Sequence, residues 1–145
     1  MRALLQRISH AKVSVNGKVI AESGPGLVIL LGVGHTDGEE QALFLAQKIS
    51  NLRIFEDQDG KFNHSILDIS GEAIVVSQFT LYADTRKGRR PSFTDAALPG
   101  TASPLVDRFV ELLSAQGVAT QKGEFGAHML VEIHNDGPVT IWLEK

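Results

Sequence analysis

Asn16-Gly17 stands between two short runs in which apolar and polar residues alternate, Val13 and Val15 before it and Val19 and Ile20 after it. Both residues of the pair tolerate positive φ, so the spacing predicts a tight two-residue turn and hence an antiparallel hairpin near the start of the chain. A hairpin needs further strands or a helix to bury its apolar face, and the rest of the sequence supplies them. Gly24-Pro25-Gly26 is a turn, and Leu27 to Val33 after it reads as a buried strand.

Two helices are predicted. The first starts with Asp37 as its cap and Glu40 three residues later, and Ala42, Leu45, Ala46, Ile49 and Leu52 fall on one face. The second starts with Ser103 as N-cap and Pro104 at its first position and stops at Gly117, with Leu105, Val106, Phe109, Val110 and Leu113 as its apolar stripe. Between them, Asp57, Asp59 and Gly60 read as a turn, because the ligand spacing and closing Glu of a calcium loop are absent. Ala73 to Leu81 is rich in strand-forming residues. Two more strands are expected at about His128 to His134 and Val139 to Leu143, joined by Asn135-Asp136-Gly137-Pro138 as a turn. Strands outnumber helices and include hairpins, which defines an α+β fold with a mainly antiparallel sheet and two principal helices. With 145 residues and neither repeat nor linker, residues 1–145 form one domain.

Composition narrows the chemistry. There is no cysteine, so disulfides and thiolate metal sites are excluded. The longest apolar run, Leu27 to Leu31, is far short of a membrane span, and Met1 to His10 lacks a signal-type apolar stretch. A soluble, cytoplasmic protein without a membrane partner is expected. A net charge of −3 argues against wrapping DNA or long RNA but not against contact with an RNA end. The one dense basic cluster, Arg86, Lys87, Arg89 and Arg90, sits in Ala83 to Ser103, a stretch of no clear period. Four cations within five residues repel one another, which favours a phosphate contact over a merely solvated loop.

Familiar catalytic patterns are missing. There is no G-x-S-x-G elbow, P-loop or H-E-x-x-H, and Gly32-Val33-Gly34 fails the dinucleotide pattern because Asp37 stands where the third Gly belongs. The histidines His10, His35, His64, His128 and His134 are scattered. His128 and His134 are an even number apart on a predicted strand, but two histidines without a third ligand do not make a metal site, and no metal or cofactor is expected. All five read as structural or surface histidines.

Two segments stand out. Ser77-Gln78-Phe79-Thr80-Leu81 puts polar residues at the end of an apolar strand. It reads either as a capped strand end or as a pocket floor whose backbone N–H groups face an anionic or tetrahedral oxygen. Thr80 is a conceivable nucleophile, but no activating base is visible beside it. Asn135-Asp136-Gly137-Pro138-Val139-Thr140 reads from residue types alone as a simple turn, since only about 5–6% of X-Pro bonds in folded proteins are cis.

Together these two segments resemble the motif pair of the D-aminoacyl-tRNA deacylases. Gly123-Glu124-Phe125-Gly126-Ala127-His128-Met129, Asp84 to Phe93 and the opening from Arg7 through Gly17 are similar to further stretches of that family. The likeness runs from end to end, and Ala96 to Val106 is the least typical part. The resemblance implies barrel-like sheets and a homodimer in which a cis Gly137-Pro138 peptide enters the partner's active site, faces the amino acid's Cα and excludes an L side chain. Glycine, including glycine mischarged on tRNA-Ala, lacks the excluded group and is expected to be accepted. It further implies hydrolysis assisted by the terminal adenosine's 2′-OH. Phe79 and Thr80 would supply backbone donors, Ser77, Gln78, Phe125 and Met129 would bind substrate, and Arg7 and Asn135 would support the Gly-Pro element. Arg86, Lys87, Arg89 and Arg90 would meet the tRNA. Two other functions remain open at this level, a noncatalytic RNA-end binder that stacks Phe93 or Phe125, and a Thr80-nucleophile hydrolase of small esters. A purely structural dimer module leaves both motifs unexplained.

Overall fold

Asn16 and Gly17 adopt φ values of 50° and 76°, the positive angles that a two-residue hairpin turn demands, and strands form on either side of them. In the computed structural model, which describes all of residues 1–145, β1 (Arg2–Val15) pairs antiparallel with β2 (Lys18–Ser23) across this turn. β1 is also antiparallel to β3 (Gly26–Gly32). α1 (Glu39–Ser50) follows, then the small antiparallel pair β4 (Phe55–Glu56) and β5 (Phe62–His64). β6 (Glu72–Ser77) returns parallel to β3. A 3-10 turn (Phe79–Tyr82), α2 (Pro99–Ala115), β7 (Ala119–Lys122) parallel to β6, and β8 (Met129–Glu144) complete the chain.

The main sheet runs β2-β1-β3-β6-β7, with β8 pairing β1 along nearly its whole length. It curls until its edges β2 and β7 approach, and a side chain bridges them. The Gln121 amide donates to the Glu22 carbonyl at 2.6 Å and accepts from the Glu22 N–H at 3.2 Å. Gln121→Ala removes both bonds from an exposed seam and is expected to cost about 1 kcal/mol, read as a lower urea midpoint at unchanged slope.

Alternation along the strands builds two apolar layers. Leu5, Leu27, Ile29, Leu31 and Val75 face the helices and pack with Leu45, Ile49, Phe109 and Leu113. Val28, Ile74 and Val76 point the other way, into the barrel, where they meet Ile8, Ala11, Val13 and Ala21. β1 exchanges layers along its length, through the irregularity in its pairing with β8 between Ile8 and His10. The helices lie on one face only, as an α+β arrangement requires.

Four expectations need correction. α1 begins at Glu39 behind Gly38, because the Asp37 carboxylate is engaged elsewhere: it accepts from the Gly34 N–H at 2.6 Å and the Tyr82 hydroxyl at 3.0 Å and pairs with the Met1 amino group at 2.5 Å. Gln41 supplies the cap instead, its Oε1 accepting from the Gly38 N–H at 2.9 Å. α2 begins at Pro99, so Pro104 lies inside it and Ser103 is not its cap. Burial of Ala102 beside Val106 draws the earlier turn into the helix, and Leu112 joins the stripe while Leu105 and Val110 are only partly buried. Phe79 to Leu81 leave the strand and form the 3-10 turn. Finally, Asn135–Pro138 does not reverse the chain. β8 is continuous, and four residues, Asp136 to Val139, bulge out opposite Arg7 between the Ile8–Asn135 and Gln6–Thr140 pairs.

Candidate active site

Where β3 and β6 end side by side, the polypeptide opens a cleft of about 610 Å³. Leu31, Val33, Val76 and Ser77 form its floor, and Gln78 and Phe79 one wall. Phe93 and Ala96 to Leu98 cover a second side, and Phe125 through Met129 with Val131 close a third. The lining is mostly apolar with a few polar groups, the usual make-up of a small-molecule site. Two stretches that are 45 residues or more apart in sequence, Ser77-Gln78-Phe79 and Phe125 to Met129, thus face one space.

The 3-10 turn gives this wall its shape. The Gln78 N–H still belongs to the sheet, donating to the Leu31 carbonyl at 2.8 Å. Leu81 N–H then closes on the Gln78 carbonyl at 3.2 Å, and Ala83 N–H on that of Thr80 at 3.0 Å. The amides of Phe79 and Thr80 head the turn, where an N–H has no partner within the turn itself. Thr80 is exposed and outside the cleft lining, and its hydroxyl accepts from the Gln78 side chain. No histidine, lysine or carboxylate is hydrogen-bonded to it, so the structure gives this hydroxyl no activating base. Phe79, 57% exposed, stands at the rim with the Phe93 ring edge-on at 5.0 Å.

Sequence reasoning passed over His128. It is exposed, a surface histidine as expected, and it also lines the cleft, where it is the one titratable side chain among the lining residues. The signal was its place inside the Gly123 to Met129 stretch. His10 and His134 instead pack edge-on at 5.3 Å on the outer surface of β1 and β8.

The basic loop lies beside the cleft without lining it. Backbone bonds between Asp84 and Ser92, at 2.7 and 2.9 Å, pin its two ends. Its cations are not equivalent. The Arg86 guanidinium grips Asp84 at 2.8 and 2.9 Å and holds that carboxyl down at about 2, whereas Lys87, Arg89 and Arg90 have no acidic partner.

The Gly137–Pro138 peptide is cis and sits in the β8 bulge, away from the cleft of its own chain. Arg7, 5% exposed, fixes the bulge from beneath. Its Nε donates to the Asp136 carbonyl at 3.1 Å, Nη1 donates to the Ile54 carbonyl at 2.9 Å, and Nη2 reaches Glu56 at 3.3 Å. Asn135 ties the neck, accepting from the Val139 N–H at 3.1 Å and donating to Thr140 Oγ1 at 3.0 Å.

With this geometry described, comparison with known proteins is informative. The profile of the D-Tyr-tRNA(Tyr) deacylase family matches residues 4–144. The D-aminoacyl-tRNA deacylase of Thermomicrobium roseum is 58% identical over 145 residues, all of this chain and 94% of that protein. Its counterpart from Carboxydothermus hydrogenoformans is 55% identical over 144 residues and is covered to 99%. Among solved structures, one named c-Myc DNA Unwinding Element Binding Protein superposes with a TM-score of 0.93 at 40% identity, covering 100% of this chain and 99% of the other. A probable eukaryotic D-amino acid tRNA deacylase shares the fold, with a TM-score of 0.83 at 18% identity over 98% and 97% of the two chains.

By class, then, the protein is a hydrolase acting on an ester bond. More narrowly, the chain belongs to the D-Tyr-tRNA(Tyr) deacylase family. No helix is long and apolar enough to cross a membrane.

Proposed function

We propose that the chain hydrolyses the ester of D-aminoacyl-tRNA and spares the L form, with the cleft holding the aminoacylated terminal adenosine. The observation that carries this reading is the meeting of Ser77-Gln78-Phe79 with Phe125 and Met129 around one apolar space. Ser77, Gln78, Phe125 and Met129 position the substrate, and the Phe79 and Thr80 amides stabilise the oxyanion as the carbonyl becomes tetrahedral. The substrate's own 2′-OH assists the attack of water, which agrees with a Thr80 hydroxyl committed to Gln78.

Chirality is read by Gly137 and Pro138 of a second copy. Gly137 lies eight positions along β8 from Met129, roughly 25 Å of strand, so the bulge is distant from its own cleft. That distance favours a homodimer in which each protomer presents its bulge to the other. Main-chain atoms near Cα exclude an L side chain while tolerating many D side chains, and glycine, with no side chain, passes as well. Arg7 and Asn135 hold the bulge, and the cytoplasm is where such a substrate is met.

The test compares D- and L-tyrosyl-tRNA and repeats the D assay with a terminal 2′-deoxyadenosine. Release from the D form alone, slowed at least about 100-fold by the missing hydroxyl, is the expected result. Tight binding without hydrolysis would establish an RNA-end binder, and equal turnover of RNA-free esters a small-ester hydrolase.

Lys87, Arg89 and Arg90 contact acceptor-stem phosphates in this reading. Changing Lys87 and Arg89 to Gln is expected to raise KM for charged tRNA several-fold at low salt, flatten its salt dependence, and leave kcat within about twofold. The corresponding Arg86 change should matter less, because Asp84 already occupies that guanidinium.

A further inference from the structure

Opposite the cleft, the far side of the 3-10 turn rests on a side chain from the beginning of β1. The Arg2 guanidinium donates through Nη1 to the Leu81 carbonyl at 3.0 Å and lies 4.2 Å from the centre of the Tyr82 ring. The Trp142 ring centre lies 5.7 Å from it, and Glu144 aims it, its Oε1 accepting from Nε at 2.7 Å. Both partners in the turn, Leu81 and Tyr82, directly follow the residues whose amides face the substrate in the proposed mechanism.

The turn has few other anchors. Tyr82 is buried and its hydroxyl donates to Asp37 at 3.0 Å, while Gly34 gives the ring room: a Cβ at that position would come within 2.8–2.9 Å of it. Burial and the Asp37 charge hold the phenol protonated, so it acts as a fixed hydrogen-bond donor. The Leu81 carbonyl, by contrast, is held from outside the turn by Arg2 alone among side chains. A carbonyl bonded to a cation is a stronger attachment than a neutral pair, and a planar guanidinium can donate, stack and pair with a carboxylate in one pose.

We propose that Arg2 is a positioning residue for hydrolysis: packed near the Tyr82 and Trp142 rings and bonded to the Leu81 carbonyl, it sets the orientation of the Phe79 and Thr80 amides. Arg2 touches neither cleft nor substrate and acts only through the turn. The inference rests on the backbone-donor reading of the site, and one readout is therefore independent of catalysis.

The experiment uses the full chain as wild type, Arg2→Met and Arg2→Lys, with D-tyrosyl-tRNA as substrate. Met keeps an unbranched apolar stem, though a shorter one, and donates nothing, and Lys restores a donor to the Leu81 carbonyl without the planar fork. For Arg2→Met, kcat is expected to fall about tenfold or more while KM stays within about twofold, and Arg2→Lys should recover a large part of the loss. In substrate-free protein, ¹H-¹⁵N spectra should show the Phe79 and Thr80 amide signals displaced in Arg2→Met, with those of α1 unmoved. Trp142 is the only tryptophan, so its fluorescence reports directly whether its packing near position 2 has been lost. A folded Arg2→Met protein with unmoved Phe79 and Thr80 signals, or with wild-type kcat, overturns the proposal. Displaced amides in a protein whose wild type hydrolyses nothing would uphold the link from Arg2 to the turn and sink the deacylase reading instead. A lower melting temperature with kcat per folded molecule intact would reduce Arg2 to an ordinary structural residue.

Discussion

A Gly137→Ala protein is expected to fold, to lose about 1–3 kcal/mol of stability, and to discriminate D- from L-aminoacyl-tRNA at least about tenfold less well. The reasons are local. Gly137 has φ of 127°, a region that side chains with a Cβ seldom enter. An added Cβ would also come within 2.8 Å of a Val139 methyl and 3.1 Å of Arg7 Nη2. The arginine tip can move, at the cost of loosening its bonds to Asp136 and Ile54, whereas Val139 is held by its N–H bond to Asn135 one residue before the ladder resumes at Thr140. The bulge must therefore shift, and with it the carbonyls that, in the proposed function, lie against the amino acid. Displacement weakens a steric test more than it weakens chemistry, so L substrates should gain turnover while D substrates change less. Parallel time courses with D- and L-tyrosyl-tRNA, alongside urea unfolding, measure both effects. Undiminished selectivity in a folded Gly137→Ala protein would remove the bulge from the selection mechanism.

Thr80 separates side-chain from main-chain catalysis. Thr80→Ala leaves the amide in place and removes a hydroxyl whose partner is the Gln78 side chain. Activity should fall by roughly tenfold or less, the value of one neutral hydrogen bond near ~1 kcal/mol. Thr80→Pro deletes the N–H and should abolish measurable turnover. Its folding must be verified by circular dichroism, although position 80 heads a short exposed turn and not a strand, which makes proline easier to accommodate than in β6. A folded Thr80→Ala protein that binds charged tRNA but is inactive would falsify the backbone mechanism and revive the nucleophile.

How much of this was legible beforehand depends on whether a residue's partners are near it in sequence. The Asn16-Gly17 turn, the apolar face of α1 and the stop at Gly117 follow from local stereochemistry and periodicity, and the structure has them. Asp37 fails as a cap because its carboxylate is used by Gly34, Tyr82 and the Met1 amine, two of them distant in sequence. Pro104 is a sound helix-start signal, but the burial of Ala102 beside Val106 draws α2 upstream to Pro99. Asn135 to Pro138 has the composition of a turn, yet β1 offers a ladder long enough to engage β8 on both sides of it. The cleft itself was only half visible. Motif resemblance marked Ser77 to Phe79 and Phe125 to Met129, while Ala96 to Leu98 and Val106 carry no chemical signature and enter by packing alone. Arg2 gave no sign at all, since its carbonyl partner lies 79 residues away.

The bulge of Asp136 to Val139 is braced unlike a loop at the end of a hairpin. Ladder resumes immediately on either side of it, and a buried arginine bolts it from below, so it is a protrusion without a hinge. If the bulge reads the substrate as proposed, such a gauge would not sense the identity of what passes it, only whether matter occupies one small volume. Its tolerance can therefore stay constant while side chains around it drift, and changing what it admits calls for altering the length or pairing of β1 and β8 rather than repainting the surface of the bulge.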